Sequence, residues 1–130
     1  MTVGSHIRTP LARVRGRGSA RSGTEHFWHQ RVTAIANIPL TIAAIIILTT
    51  LLGRNQAAVA QILGSPTIAI IMLLFIATTC IHMRIGMAVV IEDYVHDESA
   101  KLVTLMANTF FTVVVGLTAA FGIVKLAFGL

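Results

Sequence analysis

A histidine lies inside an apolar stretch at position 82, and eleven residues later, where that stretch ends, come Asp93 and Tyr94. At about 100° per residue, eleven helical steps return to within roughly 20° of the starting face. The rise is about 16 Å, half the thickness of a bilayer core. On one helix, His82 and Asp93 would therefore share a face, the imidazole at membrane depth and the carboxylate at the water boundary. A titratable group at membrane depth is costly, which makes it a candidate functional group. A neutral imidazole is favoured in low dielectric and can ligate a metal. A phenol can donate to an oxygen that becomes charged during reduction. A carboxylate beside it can orient neighbours or relay a proton. The bland alternatives are a histidine that hydrogen-bonds across a helix interface, a solvated acid at a helix end and a tyrosine of the interfacial aromatic belt.

The elements that must carry these groups are legible from composition. The chain has 130 residues, of which 55% are hydrophobic and only 12% charged. A soluble domain carries about 25% charged residues. Residues 32–53 and 102–124 hold no charged side chain, and 67–91 is apolar apart from His82 and Arg84. Each run reaches the roughly 20 residues that span a bilayer as a helix. The expected fold is an all-α membrane protein with three transmembrane helices, about 32–53, 67–91 and 102–124. Residues 26–130 form the membrane domain, preceded by an Arg-rich arm at 1–25. Between the first two spans, Gly53, Gly64 and Pro66 break helices, while AAVAQIL can form a short interfacial helix. Ser65-Pro66 suits the start of the second span. Pro39 falls within the first span and removes one backbone donor there.

Charge sets the expected orientation. Arg8, Arg13, Arg15, Arg17 and Arg21 precede residue 25, and no acid occurs before Glu25. The excess of Lys and Arg beside the first span predicts a cytoplasmic N-terminus. That topology puts the 92–101 loop on the same side, and gathers His26, His29, Arg31, Asp93, Tyr94 and His96 near one membrane surface. The arm reads as a solvated cytoplasmic segment rather than a nucleic-acid binder. It also has the Arg-rich, acid-poor character of a mitochondrial transit peptide. Cys80 is the single cysteine, so no internal disulfide or CxxC site exists, and its apolar setting predicts inert packing.

The pattern His82-x3-Gly86-x6-Asp93-Tyr94, with QRVTAIA at 30–36, resembles the membrane anchor subunits of succinate dehydrogenase, respiratory complex II. The likeness extends over the whole three-span layout. It implies that His82 is an axial ligand of haem b iron. No second histidine lies at comparable depth, so the other axial ligand would come from a partner anchor, the cytochrome b subunit. The resemblance further implies that Tyr94 hydrogen-bonds a ubiquinone carbonyl and that Asp93 belongs to the quinone site or a proton relay. Gly86, one turn from His82 on the same face, leaves room for a flat macrocycle or a close helix.

Other residues carry weaker signals. Arg31, opening the first span, is a snorkelling cation or a contact to a haem propionate or the quinone pocket. Arg84 lies about 200° from His82 and points away from its face. It calls for a carboxylate, a lipid or a backbone group of another subunit. His96 lies about 40° from the His82 face if the helix continues.

The chain has no dinucleotide-binding fingerprint and no cysteine cluster, so flavin and iron–sulfur centres belong to partner subunits, and the chain carries no catalytic set of its own. The expected partners are the second anchor, the iron–sulfur subunit, the flavoprotein and the bilayer, with no nucleic acid. The expected location is the bacterial inner membrane, or the mitochondrial inner membrane as the alternative. The competing functions are a fumarate reductase anchor, a haem-free assembly subunit and a small multidrug transporter. A transporter would be expected to hold an acid within a span, whereas every acid here lies at 25 or in 92–98.

Overall fold

The computed structural model describes Thr9, Leu11 and residues 21–130. Over residues 21–130 four helices follow in order: α1 (Arg21–Leu51), α2 (Gln56–Leu63), α3 (Pro66–Tyr94) and α4 (Glu98–Ala127). Three of them are long and apolar enough to cross a membrane, over Phe27–Leu51, Pro66–Tyr94 and Glu98–Ala127. These helices overrun the expected spans because polar residues at their ends continue the helix beyond any apolar core. The start of α1 reaches into the last residues assigned to the arm. The arginines at 8, 13, 15 and 17 lie outside the described residues.

Local chemistry explains the ends. Gly53 turns the chain out of α1 in the left-handed region, at φ +74°. The Asn55 side chain caps α2 by accepting from the Ala58 amide at 2.9 Å. Pro66 stands in the first turn of α3, where its missing donor costs nothing. Asp97 caps α4 through the Ala100 amide at 2.8 Å, with Glu98 in the first turn and Lys125 in the last, both favourable to the helix dipole. Pro39 sits inside an otherwise continuous α1.

The α1–α3 and α3–α4 pairs are antiparallel, and α2 closes the end where α1 finishes. There, Ala44, Ile47, Ala69, Met72 and Ile123 form a small core. Gly64 seats α2 against α4: a Cβ at this position would lie 2.6 Å from the Leu126 carbonyl oxygen. Elsewhere large apolar side chains stay exposed around the helices, Ile35, Ile46, Phe110, Phe121 and Leu117 among them. Such all-round apolar helices are stable only in lipid or against other subunits. Hydroxyls within the spans are satisfied by carbonyls one turn earlier, as in Thr50 to Ile47 and Thr112 to Asn108.

Candidate functional site

His82 sits in the second half of α3, half-buried against α1. Its Nδ1 lies 3.2 Å from the hydroxyl oxygen of Thr33, a residue only 7% exposed. Thr33 in turn donates to the His29 carbonyl at 2.7 Å, one turn back along α1. The other ring nitrogen of His82, Nε2, makes no hydrogen bond within the described residues. Next to this pair, the Gln30 side chain covers Gly86: a Cβ on Gly86 would lie 3.6 Å from Gln30 Nε2. That distance is ordinary van der Waals contact with a side chain. The Gln30 Oε1 is buried with no hydrogen-bond partner among the described residues. One turn deeper, Asn37 Oδ1 accepts from the hydroxyls of Thr78 at 2.7 Å and Thr79 at 3.4 Å.

These contacts set the register of α1 on α3. Thr33 faces His82 and Asn37 faces Thr78, four residues on along one helix and four back along the other. Arg31 therefore lies level with Arg84, two residues from His82. Its guanidinium stacks over the Phe27 ring at 5.0 Å. Asp93 and Tyr94 stand nine and ten residues farther along α3, about 14 Å beyond that level. The expected gathering of Arg31 with Asp93 and Tyr94 therefore resolves into two levels along one bundle. The His26 side chain lies outside the described residues.

Asp93 and Tyr94 occupy the last turn of α3, exposed to solvent, with Tyr94 at 79%. α3 ends at Tyr94, and Val95 takes an extended conformation, φ −94° and ψ 111°. His96 is thus not on the His82 face, because the helix does not continue to it. Arg84 turns the other way, as its 200° offset requires. Its Nε donates to Thr109 Oγ1 at 3.4 Å, and its carbonyl accepts from Asn108 at 3.0 Å, both on α4. Within the chain, the partners of Arg84 are thus this hydroxyl and the Asn108 amide.

The α3–α4 side also holds the open space. A groove of about 400 Å³ runs along it, lined by Leu73, Cys80, Arg84, Thr112 and Gly116 among others. A smaller one, of about 290 Å³, lies between Met83, Met87 and Phe111. Neither is lined by His82, Asp93 or Tyr94. Cys80 packs in the first, its sulfur 3.2 Å from where a Gly116 Cβ would be, in keeping with inert packing.

No group of three or more His, Cys, Asp or Glu side chains exists among the described residues that could hold a metal by itself. The donor set fits a metal bound through one nitrogen from this chain and completed from outside. Thr33 and Gln30 are the residues that sequence reasoning left without a role. Both stand in the QRVTAIA segment, but nothing in linear order pairs that segment with His82.

The model of the succinate dehydrogenase/fumarate reductase transmembrane subunits matches residues 5–116. The chain is 28% identical over 121 residues to the succinate dehydrogenase hydrophobic membrane anchor subunit of Paracoccus denitrificans, covering 93% of each chain. It is 31% identical over 110 residues to the subunit of that name from Rickettsia bellii, covering 82% of this chain and 86% of that one. With the succinate dehydrogenase membrane anchor subunit of Reclinomonas americana it shares 31% identity over 96 residues, 65% of this chain and 73% of the relative. No solved structure matches the chain significantly.

Proposed function

The chain belongs to the succinate dehydrogenase/fumarate reductase transmembrane subunits, and from that premise we propose that it anchors a succinate dehydrogenase in the bacterial inner membrane and shares in its haem b and ubiquinone sites. The named relatives carry the succinate dehydrogenase name, and those from Paracoccus and Rickettsia support the bacterial location over the mitochondrial one. The flavoprotein and iron–sulfur subunits carry succinate oxidation, and this chain with a second anchor holds them at the membrane.

One observation carries the haem assignment. His82 is half-buried at membrane depth, with one ring nitrogen engaged by Thr33 and the other unpaired within the described residues. An imidazole held through one nitrogen in this way would be able to bind a haem iron through the other. Haem b, when bound, would supply one-electron storage between the iron–sulfur centres and the quinone. His82 would hold the iron together with a histidine of the second anchor. Arg31, level with His82 rather than with Tyr94, is suited to a haem propionate and not to the quinone pocket.

At the end of α3, the Tyr94 hydroxyl would donate to a quinone carbonyl and favour the oxygen as it gains charge. Asp93, at the water boundary, would pass protons to the reduced quinone. Tyr94 is exposed in the isolated chain, so the walls of this pocket come from partner subunits.

His82→Ala tests the reading in the assembled complex. The reduced b-type absorption is expected to vanish or change markedly while the subunits remain together. An unchanged spectrum in the assembled variant rules out His82 as a ligand.

A further inference from the structure

We propose that Thr33 is a positioning residue that selects the tautomer of His82, placing the proton on Nδ1 and presenting Nε2 as the ligating nitrogen. The inference rests on reading His82 as the iron ligand and adds what holds that ligand in place.

The argument is a count of protons. The Thr33 hydroxyl has one hydrogen and two lone pairs. Three groups surround its oxygen: the His29 carbonyl at 2.7 Å, the Gln30 carbonyl at 3.2 Å and His82 Nδ1 at 3.2 Å. Carbonyl oxygens can only accept, and the His29 carbonyl is the closest of the three. The hydroxyl proton therefore belongs to that carbonyl, in the i−4 pattern usual for a threonine within a helix. A lone pair is left facing His82. Two lone pairs brought together would repel, so Nδ1 must carry the hydrogen and donate it to Thr33. A neutral imidazole has one N–H, and Nε2 is then the nitrogen with the free lone pair. The ring places Nε2 on the side away from Nδ1, so the ligating nitrogen faces away from Thr33 and α1.

Two further features make the contact a support rather than an accident of packing. Thr33 is one of only two buried polar residues of the described chain, so its hydroxyl cannot turn to water. Its backbone stands in the middle of α1, whose register on α3 is held a turn deeper by Asn37 with Thr78 and Thr79. A ligating histidine whose other nitrogen donates to a fixed acceptor gains basicity and a fixed ring plane.

The test compares Thr33→Val, which keeps the branched shape and loses the hydroxyl, with Thr33→Ser, which keeps the hydroxyl. Both are made in the whole membrane complex. Removing the acceptor makes His82 a weaker donor to iron, so Thr33→Val is expected to raise the midpoint potential of the haem and lower its retention 10- to 100-fold. Thr33→Ser is expected to behave as the unaltered protein. Nitrogen NMR of the unaltered complex, labelled with 15N-histidine, supplies a reading that needs no variant to fold. It should show His82 with a protonated Nδ1. A protonated Nε2, or a Thr33→Val complex with unaltered potential and haem retention, overturns the inference. If His82→Ala itself leaves the b-type spectrum intact, the haem reading fails first, and that result is distinct from either of these.

Discussion

α3 is held by two seams of different material. On the α1 side, polar groups meet across the helices: His82 with Thr33, and Asn37 with Thr78 and Thr79. On the α4 side, small and apolar groups meet, Cys80 against Gly116, and the grooves lie along that line. Arg84 with Thr109 and Asn108 is the polar exception there. The difference lies in what each kind of contact specifies. Sliding α1 by one residue would part His82 from Thr33 and Asn37 from Thr78 and Thr79, with no water to replace the lost partners. A seam of small apolar residues has no such register, and it tolerates shifts at the cost of packing alone. The candidate ligand sits on the seam that can be held in one place.

The contrast can be broken by substitutions on each side. Asn37→Leu removes the acceptor shared by Thr78 and Thr79. Interhelical hydrogen bonds in membranes average about 0.6 kcal/mol and reach about 1.7. A loss of about 1–2 kcal/mol is therefore expected, read as a lower thermal unfolding midpoint of the solubilised complex. With Asn37 gone, the Thr78 hydroxyl can turn to the Leu74 carbonyl, which limits the damage.

Tyr94→Phe sharpens the comparison along α3 itself, where a pinned histidine gives way to an exposed tyrosine. The substitution removes a single hydroxyl and leaves the ring. If Tyr94 donates to the quinone as proposed, losing one hydrogen bond costs about 0.5–1.5 kcal/mol, or roughly a twofold to tenfold fall in quinone reductase efficiency. Succinate oxidation with an artificial acceptor that takes electrons ahead of the quinone should stay unchanged, and so should the thermal midpoint. An equal fall in both assays would make Tyr94 a residue of assembly. No fall in either would leave it a tyrosine of the aromatic belt.

The smallest effect belongs to Gly116→Ala. The added methyl would lie 3.2 Å from the Cys80 sulfur, beside open groove. A small shift of that side chain accommodates it, and alanine favours the helix, so the net change should stay within about 1 kcal/mol. If Gly116→Ala destabilises more than Asn37→Leu, the polar seam is not the one that fixes α3.

Much of the fold was legible because the bilayer constrains it so tightly. Three uncharged or nearly uncharged runs of span length have to be helices, since a chain in lipid must pair its backbone internally. The capping role of Asp97 and the end of α3 were harder to read, because Asp93, Tyr94 and His96 form one polar stretch with no glycine to mark a stop. That is why the place of His96 hung on whether the helix continued, and the chain leaves the helix two residues before it.

The sequence by itself determined three apolar helices, a histidine at membrane depth and an Asp-Tyr pair at the end of the same helix. Those follow from hydropathy and from the 3.6-residue period, which are properties of a single segment. Which helix faces which was decided only by tertiary structure. Thr33 and His82 are 49 residues apart. Their meeting depends on how the side chains of α1 and α3 interlock, and the apolar residues surrounding each helix leave that choice open in the sequence. The same packing set Arg31 level with His82, closed Gly86 under Gln30 and turned Arg84 toward α4. Direction around a helix is written in the chain; the neighbour found in that direction is not.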